Sequence, residues 1–313
     1  MKISVCITTF NESEERVKKL LDALSKQTLK PDEIILVDAT RNSKLQIDSN
    51  ASRANSKQYT RNKLQIIQKP NVSRSEGRNI AIKKAKNEII AITDVGCLPH
   101  NDWLEKITLQ LRSGQVKPDV VSGGYKMVAK NNFEKAEAVF LGVSKKNIDS
   151  DFLPSARSMA FTKSIWKKVG GFPESLSDTA EDTVFNLNLH NVGAKFAVAK
   201  NAVVDWYMPE NIFLFMKKVK NYAKGDAQSG IWWHPVKKWQ THNIKVVTIF
   251  LRYILGAVLF FVNHFLFFVY VTSYTVYAYR KAGLWGICLQ FISDFACMSG
   301  FLSGLMRVES TSG

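Results

Sequence analysis

Acidic residues follow two apolar segments of the chain at the points where those segments end. Asp38 closes EIILVDA, and Asp94 lies in EIIAITDVGC with Gly96 two residues later. Carboxylates at such positions can bind a nucleotide, or share a magnesium or manganese ion with phosphate oxygens. A second acid at position 96 would complete a two-carboxylate site. Asp94 is therefore half of a broken metal site, a whole site of another kind, or only the polar end of a strand.

Two adjacent acids, Glu181 and Asp182, lie in SDTAEDTVFNLNL. An acid held at the start of a helix is rigid enough to serve as a general base. Both residues could instead serve the helix alone. Glu181 could close a capping box with Asp178, and Asp182 could interact favourably with the helix dipole.

Three arginines could contact an anionic ligand, because guanidinium groups bind phosphate and carboxylate in a bidentate manner. Arg74 and Arg78 in SRSEGRN are either solvated charges at a helix end or phosphate ligands. Arg157 is an unexplained charge in the apolar segment LPSARSMAF. We interpret it as a side chain that contacts a substrate.

Several signatures of other enzyme classes are missing from the sequence. No strand is followed by GxGxxG or GxxxxGK[ST], so dinucleotide-dependent redox chemistry and P-loop phosphoryl transfer are not predicted. Neither HExxH nor a Cys/His cluster indicates a zinc hydrolase, and no GxSxG segment indicates acyl transfer. Carboxylates at loop positions remain as the candidate chemistry.

The composition predicts a folded, basic protein. The chain has 313 residues, of which 46% are hydrophobic, and a net charge of +16. Such a charge favours an anionic partner, which could be a nucleic acid, an acidic membrane surface or a phosphorylated substrate. No recognition helix or RNP-like aromatic motif is visible, so nucleic acid is not predicted as a partner. The four cysteines show no paired spacing, which favours a reducing compartment.

Residues 1–210 alternate apolar strand-like runs with amphipathic helical patterns, beginning with ISVCITTF and EERVKKLLDALSKQ. This βαβ rhythm predicts an α/β domain with a mostly parallel, Rossmann-like sheet flanked by helices, whose ligands bind beyond the carboxyl ends of the strands. Asn11 is the predicted cap of the first helix, because Glu14 follows three residues later.

The remainder of the chain has a different composition. Residues 211–245 contain a basic and aromatic helix, including Trp232 and Trp233, that favours an anionic membrane interface over sugar stacking. Residues 246–313 contain a charge-free run, 253–279, long enough to cross a bilayer. A second apolar run, 284–306, contains Gln290 and Asp294, so a re-entrant or interfacial helix competes with a second span. A buried hairpin of a soluble domain remains the alternative for both runs.

Four segments in this order resemble the family 2 inverting glycosyltransferases of the GT-A fold: CITTFNESEERVKKLLDAL, EIILVDA, SRSEGRNIAIKKAKNEIIAITDVGC and VGGFPESLSDTAEDTVFNLNLHNVG. The resemblance implies a catalytic domain over residues 1–210, with the apolar tail as membrane-associated helices. It also implies a set of nucleotide-binding residues, which are Thr9, Asn11, Glu12, Asp38, Arg78 and Asp94.

Within this resemblance, Asp38 aligns with the aspartate that binds uracil, and Asp94 with the first acid of the Asp-x-Asp pair that holds ribose, metal and diphosphate. Asp182 aligns with the catalytic base and Glu181 with the acid before it, so Glu181 is expected to contact substrate. Arg157 is expected to contact the donor or the acceptor because its charge is otherwise unexplained. Because Gly96 replaces the second acid, the resemblance leaves open whether Asp94 binds magnesium or manganese, with Asp205 in VVDWYMP as a candidate further ligand. In the alternative, which needs no metal, the side chain of Arg78, Arg157 or Lys224 stabilises the charge on the leaving diphosphate.

The implied activity is transfer of a sugar from a nucleotide-sugar donor, a UDP-sugar, with inversion. The acceptor is a lipid-linked molecule or a glycan at the membrane, in the synthesis of a cell-surface polysaccharide or glycolipid. The catalytic domain is expected on the cytoplasmic face of the cell membrane. A catalytically inactive membrane scaffold on the same fold and a nucleotidyltransferase are the alternatives.

Overall fold

The structure, a computed structural model, describes residues 1–40, 63–113, 117–142, 153–176 and 179–309. Its strands are β1 (Ile3–Thr9), β2 (Glu33–Asp38), β3 (Leu64–Gln68), β4 (Ile89–Ile92), β5 (Cys97–Pro99), β6 (Val120–Val128), β7 (Met159–Thr162) and β8 (Phe196–Tyr207). Its helices are α1 (Glu14–Ser25), α2 (Arg74–Lys84), α3 (Trp103–Arg112), α4 (Asn132–Leu141), α5 (Lys163–Lys168), α6 (Glu181–Asn191), α7 (Ile212–Ser229), α8 (His242–Val262) and α9 (His264–Glu309).

The chain forms two compact units. The first comprises Met1–Lys126 and Ser144–Tyr207, and the second comprises Met127–Val143 and Met208–Gly313. The composition of residues 127–143 gave no sign that α4 would belong with the later helices. The division into 1–210, 211–245 and 246–313 remains a prediction from composition.

An eight-stranded sheet in the order β3-β2-β1-β4-β7-β6-β8-β5 organises the first unit. The pairs β1–β2, β1–β4 and β2–β3 are parallel, whereas β4–β7, β6–β7 and β5–β8 are antiparallel. Strands β1 and β4 and residues 34–37 of β2 are almost entirely buried, as expected for parallel strands covered on both faces. The predicted α/β fold is therefore confirmed, with its parallel half at β3-β2-β1-β4.

Helix α1 follows the predicted amphipathic pattern, since Val17, Leu20, Leu21 and Leu24 are buried. The prediction that Asn11 caps this helix is wrong. Ser13 is the N-cap, and its hydroxyl accepts a hydrogen bond from the Arg16 N–H at 3.3 Å. Asn11 instead adopts the left-handed conformation, φ 53°, which asparagine tolerates better than most residues, and its N–H bonds the Thr40 hydroxyl at 2.9 Å.

Three phenylalanines fix helix α6 to the sheet. The rings of Phe172 and Phe185 stack with their centroids 4.1 Å apart, and Phe161 of β7 meets Phe185 edge-on at 5.5 Å. All three side chains are fully buried. Because Phe185 lies one turn into α6, this packing sets the position of the acids at the start of that helix.

The second unit contains α4, α7, α8 and α9. Helices α8 and α9 include two stretches, His242–Val262 and His264–Met306, that are long and apolar enough to cross a membrane by length and composition. The chain reverses direction inside α9 at Ala282 and Gly283, where Gly283 supplies the positive φ of 64°. As a result, Tyr274 and Phe291 come together with ring centroids 5.6 Å apart. The predicted C-terminal apolar helices are confirmed.

Candidate active site

The carboxyl ends of β1, β2 and β4 meet at one edge of the sheet. Thr9 and Asp38 are paired in the β1–β2 register, and Asp94 follows the end of β4 by two residues. Asp38 is fully buried, and one of its carboxylate oxygens accepts the Thr40 N–H at 3.0 Å. Since β1 lies between the other two strands, Asp38 and Asp94 are separated by two strand spacings, about 10 Å.

Helix α2 begins at the same edge. Its first turn is closed by a capping box in which Ser73 accepts from the Glu76 N–H at 3.2 Å and Glu76 accepts from the Ser73 N–H at 2.6 Å. Gly77 lets the helix approach β1 closely, because a Cβ at this position would lie 2.4 Å from the Thr8 methyl group. The close approach places Arg78 in the interior, where its side chain is only 3% exposed.

The Arg78 guanidinium bridges two carboxylates. Nη1 donates to Glu181 Oε1 at 2.5 Å, and Nη2 donates to Asp94 Oδ1 at 2.8 Å. The group also lies 5.4 Å from the centre of the Phe172 ring. Arg74, one turn earlier, approaches Glu181 at 3.7 Å. Arg78 therefore ties the end of β4 to the start of α6, an ion-pair role that its spacing in the sequence did not reveal.

Asp94 is the more open of the two carboxylates that Arg78 bridges. Its side chain is 32% exposed, against 6% for Glu181. Burial raises the pKa of Asp94, but the charges of Arg78, Arg74 and Arg157 and the Arg78 hydrogen bond outweigh burial, so the net pKa is below its ordinary value. Asp94 is consequently an anion near neutral pH. Gly96 is exposed, and apart from its two chain neighbours no described residue has an atom within 4 Å of the position that its Cβ would occupy.

The pKa of Asp182 is shifted in the opposite direction to that of Asp94. Burial and the neighbouring Glu181 raise its pKa, and Arg157, Arg78 and a backbone N–H oppose them without cancelling the rise. That N–H belongs to Ala156 and lies 3.4 Å from Oδ2. A carboxylate whose pKa is raised towards neutrality is a better proton acceptor than an ordinary aspartate. The alternative capping box for Glu181 involves Asp178, which lies outside the described residues.

Arg157 is held by aromatic rings. Its guanidinium lies 4.0 Å from the centre of the Trp206 ring and 5.6 Å from that of Tyr125, and Nη1 donates to the Ser155 hydroxyl at 2.9 Å. Its carbonyl accepts from the Thr93 hydroxyl at 2.8 Å, which joins the segment to the end of β4. The charge that the sequence left unexplained thus acts on both Asp94 and Asp182.

Comparison of the sequence with protein families identifies the chain. Residues 4–167, more than half of its length, match the sequence model described as Glycosyl transferase family 2. The chain belongs to this family. It is a glycosyltransferase with a GT-A type fold, as its resemblance to the family predicted, and membership implies a nucleotide-sugar donor and a glycan acceptor.

Solved structures similar to this glycosyltransferase support the fold. One is TarS of S. aureus, 22% identical with a TM-score of 0.51; the match covers 71% of this chain but only 39% of that one. TarS 1-349 is 17% identical, with a TM-score of 0.51 and coverage of 99% and 92%. Mannosyltransferase PcManGT from Pyrobaculum calidifontis, determined with GDP-Man and Mn2+, is 17% identical, with a TM-score of 0.55 and coverage of 98% and 86%. No curated protein sequence matches significantly.

Other candidate residues of the glycosyltransferase make contacts that lie outside the Arg78 ion-pair network. Glu12 pairs with Arg16 at 3.2 Å on the outer side of α1. The buried Thr9 hydroxyl has no hydrogen-bond partner among the described residues. Asp205, considered as a further metal ligand, pairs with His100 at 3.0 Å. In the described part of the chain, no group of three or more His, Cys, Asp or Glu is placed to hold a metal ion.

Proposed function

We propose that the protein transfers a sugar from a nucleoside-diphosphate sugar with inversion, and that Asp182 is the general base. One observation carries this proposal: Arg78 joins the start of α6 to Asp94, with bonds of 2.5 Å and 2.8 Å. Glu181, the residue before the proposed base, and Asp94 of the proposed diphosphate site are therefore bonded to the same guanidinium. Rigid placement of this kind is what a single displacement requires of the groups around it.

The proposed reaction is one displacement at the anomeric carbon. Asp182 accepts the proton of an acceptor hydroxyl as that oxygen forms a bond to the anomeric carbon. The bond from this carbon to the diphosphate oxygen breaks on the opposite face, and the nucleoside diphosphate leaves with the bonding electrons. The products are the inverted glycoside, the protonated Asp182 and the nucleoside diphosphate. The charges of Arg78 and Arg157 act on both Asp94 and Asp182, and Arg78 also donates a hydrogen bond to Asp94.

The strand ends are proposed to bind the nucleotide. Asp38 is the last residue of β2, and the Ala39 N–H next to it donates to the Thr9 carbonyl of β1 at 2.9 Å. We propose that Asp38 accepts a hydrogen bond from uracil, with Thr9, Asn11 and Glu12 beside the nucleoside. A UDP-sugar is the donor that this assignment favours. PcManGT was determined with GDP-Man, so guanosine donors belong in the same screen.

The residues present fit a divalent cation that is shared with the donor. Magnesium is commonly held by one or two carboxylates while substrate phosphates and waters complete its coordination. Arg78 occupies one oxygen of Asp94, and the side chain remains 32% exposed, so its second oxygen is available for such an ion. When bound, magnesium or manganese supplies positive charge to the departing diphosphate. PcManGT, determined with Mn2+, is consistent with this choice.

We also propose that the protein works at the cytoplasmic face of the cell membrane, on a lipid-linked or glycan acceptor. Seven lysines and one acid, Asp226, lie between positions 217 and 245, directly before the apolar helices. Lysines next to membrane segments favour the cytoplasmic side and anionic lipids. Trp232, Trp233 and Trp239 are exposed in this segment, as expected for residues in the headgroup region. This placement suits the synthesis of a cell-surface polysaccharide or glycolipid.

The test combines donor identification with one substitution. The purified full chain is screened by thermal shift against nucleotide sugars, because a ligand at a hundredfold its Kd adds about 2.7 kcal/mol of stability. With the donor so found, Asp182→Asn is compared with Asp22→Asn, a control whose carboxylate is 58% exposed on α1. We expect turnover to fall by about two orders of magnitude or more only in Asp182→Asn, with donor binding retained.

Each other result has a definite meaning. Near-normal turnover in Asp182→Asn would remove this residue from the mechanism. A product that retains the anomeric configuration of the donor, by proton NMR coupling, would refute inversion. Donor binding without transfer to any acceptor would favour an inactive scaffold, and release of pyrophosphate would identify a nucleotidyltransferase.

A further inference from the structure

Helix α8 and residues 264–281 of α9 form an antiparallel hairpin whose turn lies at Asn263. The arms contact each other from the turn as far as Arg252 and Tyr274. The Tyr270 hydroxyl donates to the Arg252 carbonyl at 2.9 Å, and a Cβ on Gly256 would lie 3.3 Å from the Tyr270 ring. Near the turn, the Phe260 and Phe267 rings meet with centroids 5.2 Å apart. The hairpin is therefore a continuous two-helix unit up to its turn.

The two ends of this hairpin differ chemically. The turn end, residues 254–269, contains no Asp, Glu, Lys, Arg, Trp or Tyr. The opposite end, which we call the base, contains all the charged residues and all the tyrosines of the hairpin: Lys245, Arg252, Tyr253, Tyr270, Tyr274, Tyr277, Tyr279, Arg280 and Lys281. Tyrosine, tryptophan and basic residues mark the membrane–water interface. The hairpin thus has interfacial residues at one end only.

The turn end is built for apolar surroundings. Its side chains are exposed although they are large and apolar: Phe261 is 82% exposed, Val262 76% and Phe265 72%. Two of its backbone N–H groups have local partners. The Asn263 N–H donates to the Leu259 carbonyl at 2.9 Å, and the Asn263 side-chain oxygen accepts the Leu266 N–H at 3.0 Å. A turn whose large apolar side chains are this exposed fits hydrocarbon better than water.

A polar cluster lies at the boundary between the base and the turn end of the hairpin. Arg252 pairs with the buried Asp294 at 3.2 Å, the Tyr253 hydroxyl donates to the same carboxylate at 3.3 Å, and Gln290 donates to its other oxygen at 3.0 Å. Arg252 is still 30% exposed. A partly exposed arginine is costly in the bilayer centre and acceptable near the headgroups. We therefore place the cluster at the membrane surface.

The length of the apolar part then fits half a bilayer. Residues 254–262 of α8 rise by about 14 Å at 1.5 Å per residue, and one leaflet of a 30 Å hydrocarbon core is about 15 Å thick. A hairpin that crossed the membrane would place its turn among the opposite headgroups, where aromatic belts and basic residues are enriched. Residues 254–269 offer neither a belt residue nor a basic one other than His264.

We propose that the hairpin inserts turn-first into one leaflet and returns to the same face without crossing the bilayer. This inference rests on the membrane attachment proposed above and adds its depth and topology. The occupant of the exposed turn is the hydrocarbon of that leaflet, and the lysines and tyrosines of the base contact its headgroups.

Single-cysteine variants of the full chain test the proposal. Cys288 is exposed and Cys297 half-buried, so Cys288→Ser/Cys297→Ala is the background, with the buried Cys6 and Cys97 retained. Val262→Cys reports the turn, Phe268→Cys reports the second arm near the turn, and Lys245→Cys is the matched control at the base. Each variant, in sealed right-side-out and inverted membrane vesicles, is treated with a membrane-impermeant maleimide. A fluorophore at each cysteine is then tested for quenching by lipids brominated at different depths, in phosphatidylcholine and phosphatidylglycerol vesicles.

We expect Lys245→Cys to react from one face, and Val262→Cys and Phe268→Cys to react from neither. Fluorophores at the turn should be quenched most by bromines near the ends of the acyl chains, and that at position 245 by bromines near the headgroups. Reaction of Val262→Cys from the face opposite Lys245→Cys would show a crossing hairpin and overturn the inference while leaving membrane attachment intact. Reaction of both from the same face would place the turn in water and overturn it as well. A protein that does not sediment with membranes would overturn membrane attachment and this inference with it. The proposed sugar transfer would be unaffected by that result, because it is tested separately by the turnover of Asp182→Asn.

Discussion

Replacing Arg78 by methionine should destabilise the catalytic unit strongly. The side chain is 3% exposed and bonds two carboxylates, of which Glu181 is 6% exposed. Methionine fills a similar volume but leaves the buried Glu181 charge without its closest partner. Breaking a buried ion pair by removing one partner costs about 3 to 5 kcal/mol. We expect a loss in this range, which corresponds to a fall in Tm of roughly 6 to 20 °C for a unit of this size.

The matched control lies on the same helix. Arg74 is 45% exposed and only 3.7 Å from Glu181, so Arg74→Met removes the same charge from a solvated position. Exposed pairs contribute about 0 to 1 kcal/mol, so the Tm of this variant should remain close to that of the parent. The assay is thermal unfolding of the full chain in detergent, followed by tryptophan fluorescence, in which the buried Trp103 reports on the first unit.

A second substitution separates loss of the charge pair from loss of packing. Glu181→Gln in the Arg78→Met background removes the buried charge that methionine leaves unpaired, so roughly half or more of the lost stability should return. If Arg78→Met unfolds within about 1 kcal/mol of Arg74→Met, the network does not support the fold. A double variant that is less stable than Arg78→Met would equally refute the charge argument.

Asp94 determines how the difference in Tm between the parent and Arg78→Met depends on pH. Its folded pKa lies below the ordinary value of 3.8, so its contribution to stability is present above that value and is lost as pH falls through the folded pKa. Removing Arg78 removes the largest of the attractions that lower this pKa. The gap in Tm between the parent and Arg78→Met should therefore be largest near neutrality and narrow below about pH 4. A gap that widens on acidification would contradict this assignment.

Three further outcomes are expected. Asp38→Ala should weaken UDP and UDP-sugar binding alike by about 1 to 3 kcal/mol in calorimetry, and unchanged affinity for UDP would remove Asp38 from the nucleotide site. Because the pKa of Asp182 is raised, turnover should fall as the pH drops through that pKa. The stability that this residue contributes at low pH is lost as the pH rises, so Asp182→Asn should raise the Tm near neutrality. A lower Tm of Asp182→Asn near neutrality would refute the burial argument. Gly96→Asp, into open space, should lower the manganese concentration for half-maximal turnover, whereas full activity of the parent in excess EDTA would refute a metal role.

The sequence predicted the parallel half of the sheet well, because its signal is local. Runs such as EIILVDA are apolar on both faces, and helix α1 has its apolar residues on one side. The antiparallel strands were harder to predict, since β7 has only four residues and pairs with both β4 and β6, distant in sequence. Asn11 was misassigned as a cap because its left-handed backbone depends on the bond to Thr40, in another loop.

The candidate site shows the same limit. The order and spacing of the acids predicted which carboxylates would reach the sheet edge, since strand ends in parallel sheets converge there. The partner of each arginine could not be predicted. Arg78 meets Glu181 from 103 residues away, and Arg157 is held by the rings of Tyr125 and Trp206. A charge within an apolar segment was the only local sign that Arg157 needed such partners.

The ion pairs also bear on which group stabilises the leaving diphosphate, a metal ion at Asp94 or the guanidinium of Arg78. Arg78, one of the cations considered for the diphosphate, already donates to two carboxylates and is almost fully buried. Turning it towards a phosphate would unpair Glu181 inside the protein, at a cost similar to that of deleting the pair. Asp94 is the open member, and near neutrality it is an anion that would repel a diphosphate. A metal ion held by Asp94 would offset that repulsion and would leave the buried pair intact, so we favour a metal at Asp94 over Arg78 as the group that stabilises the leaving diphosphate.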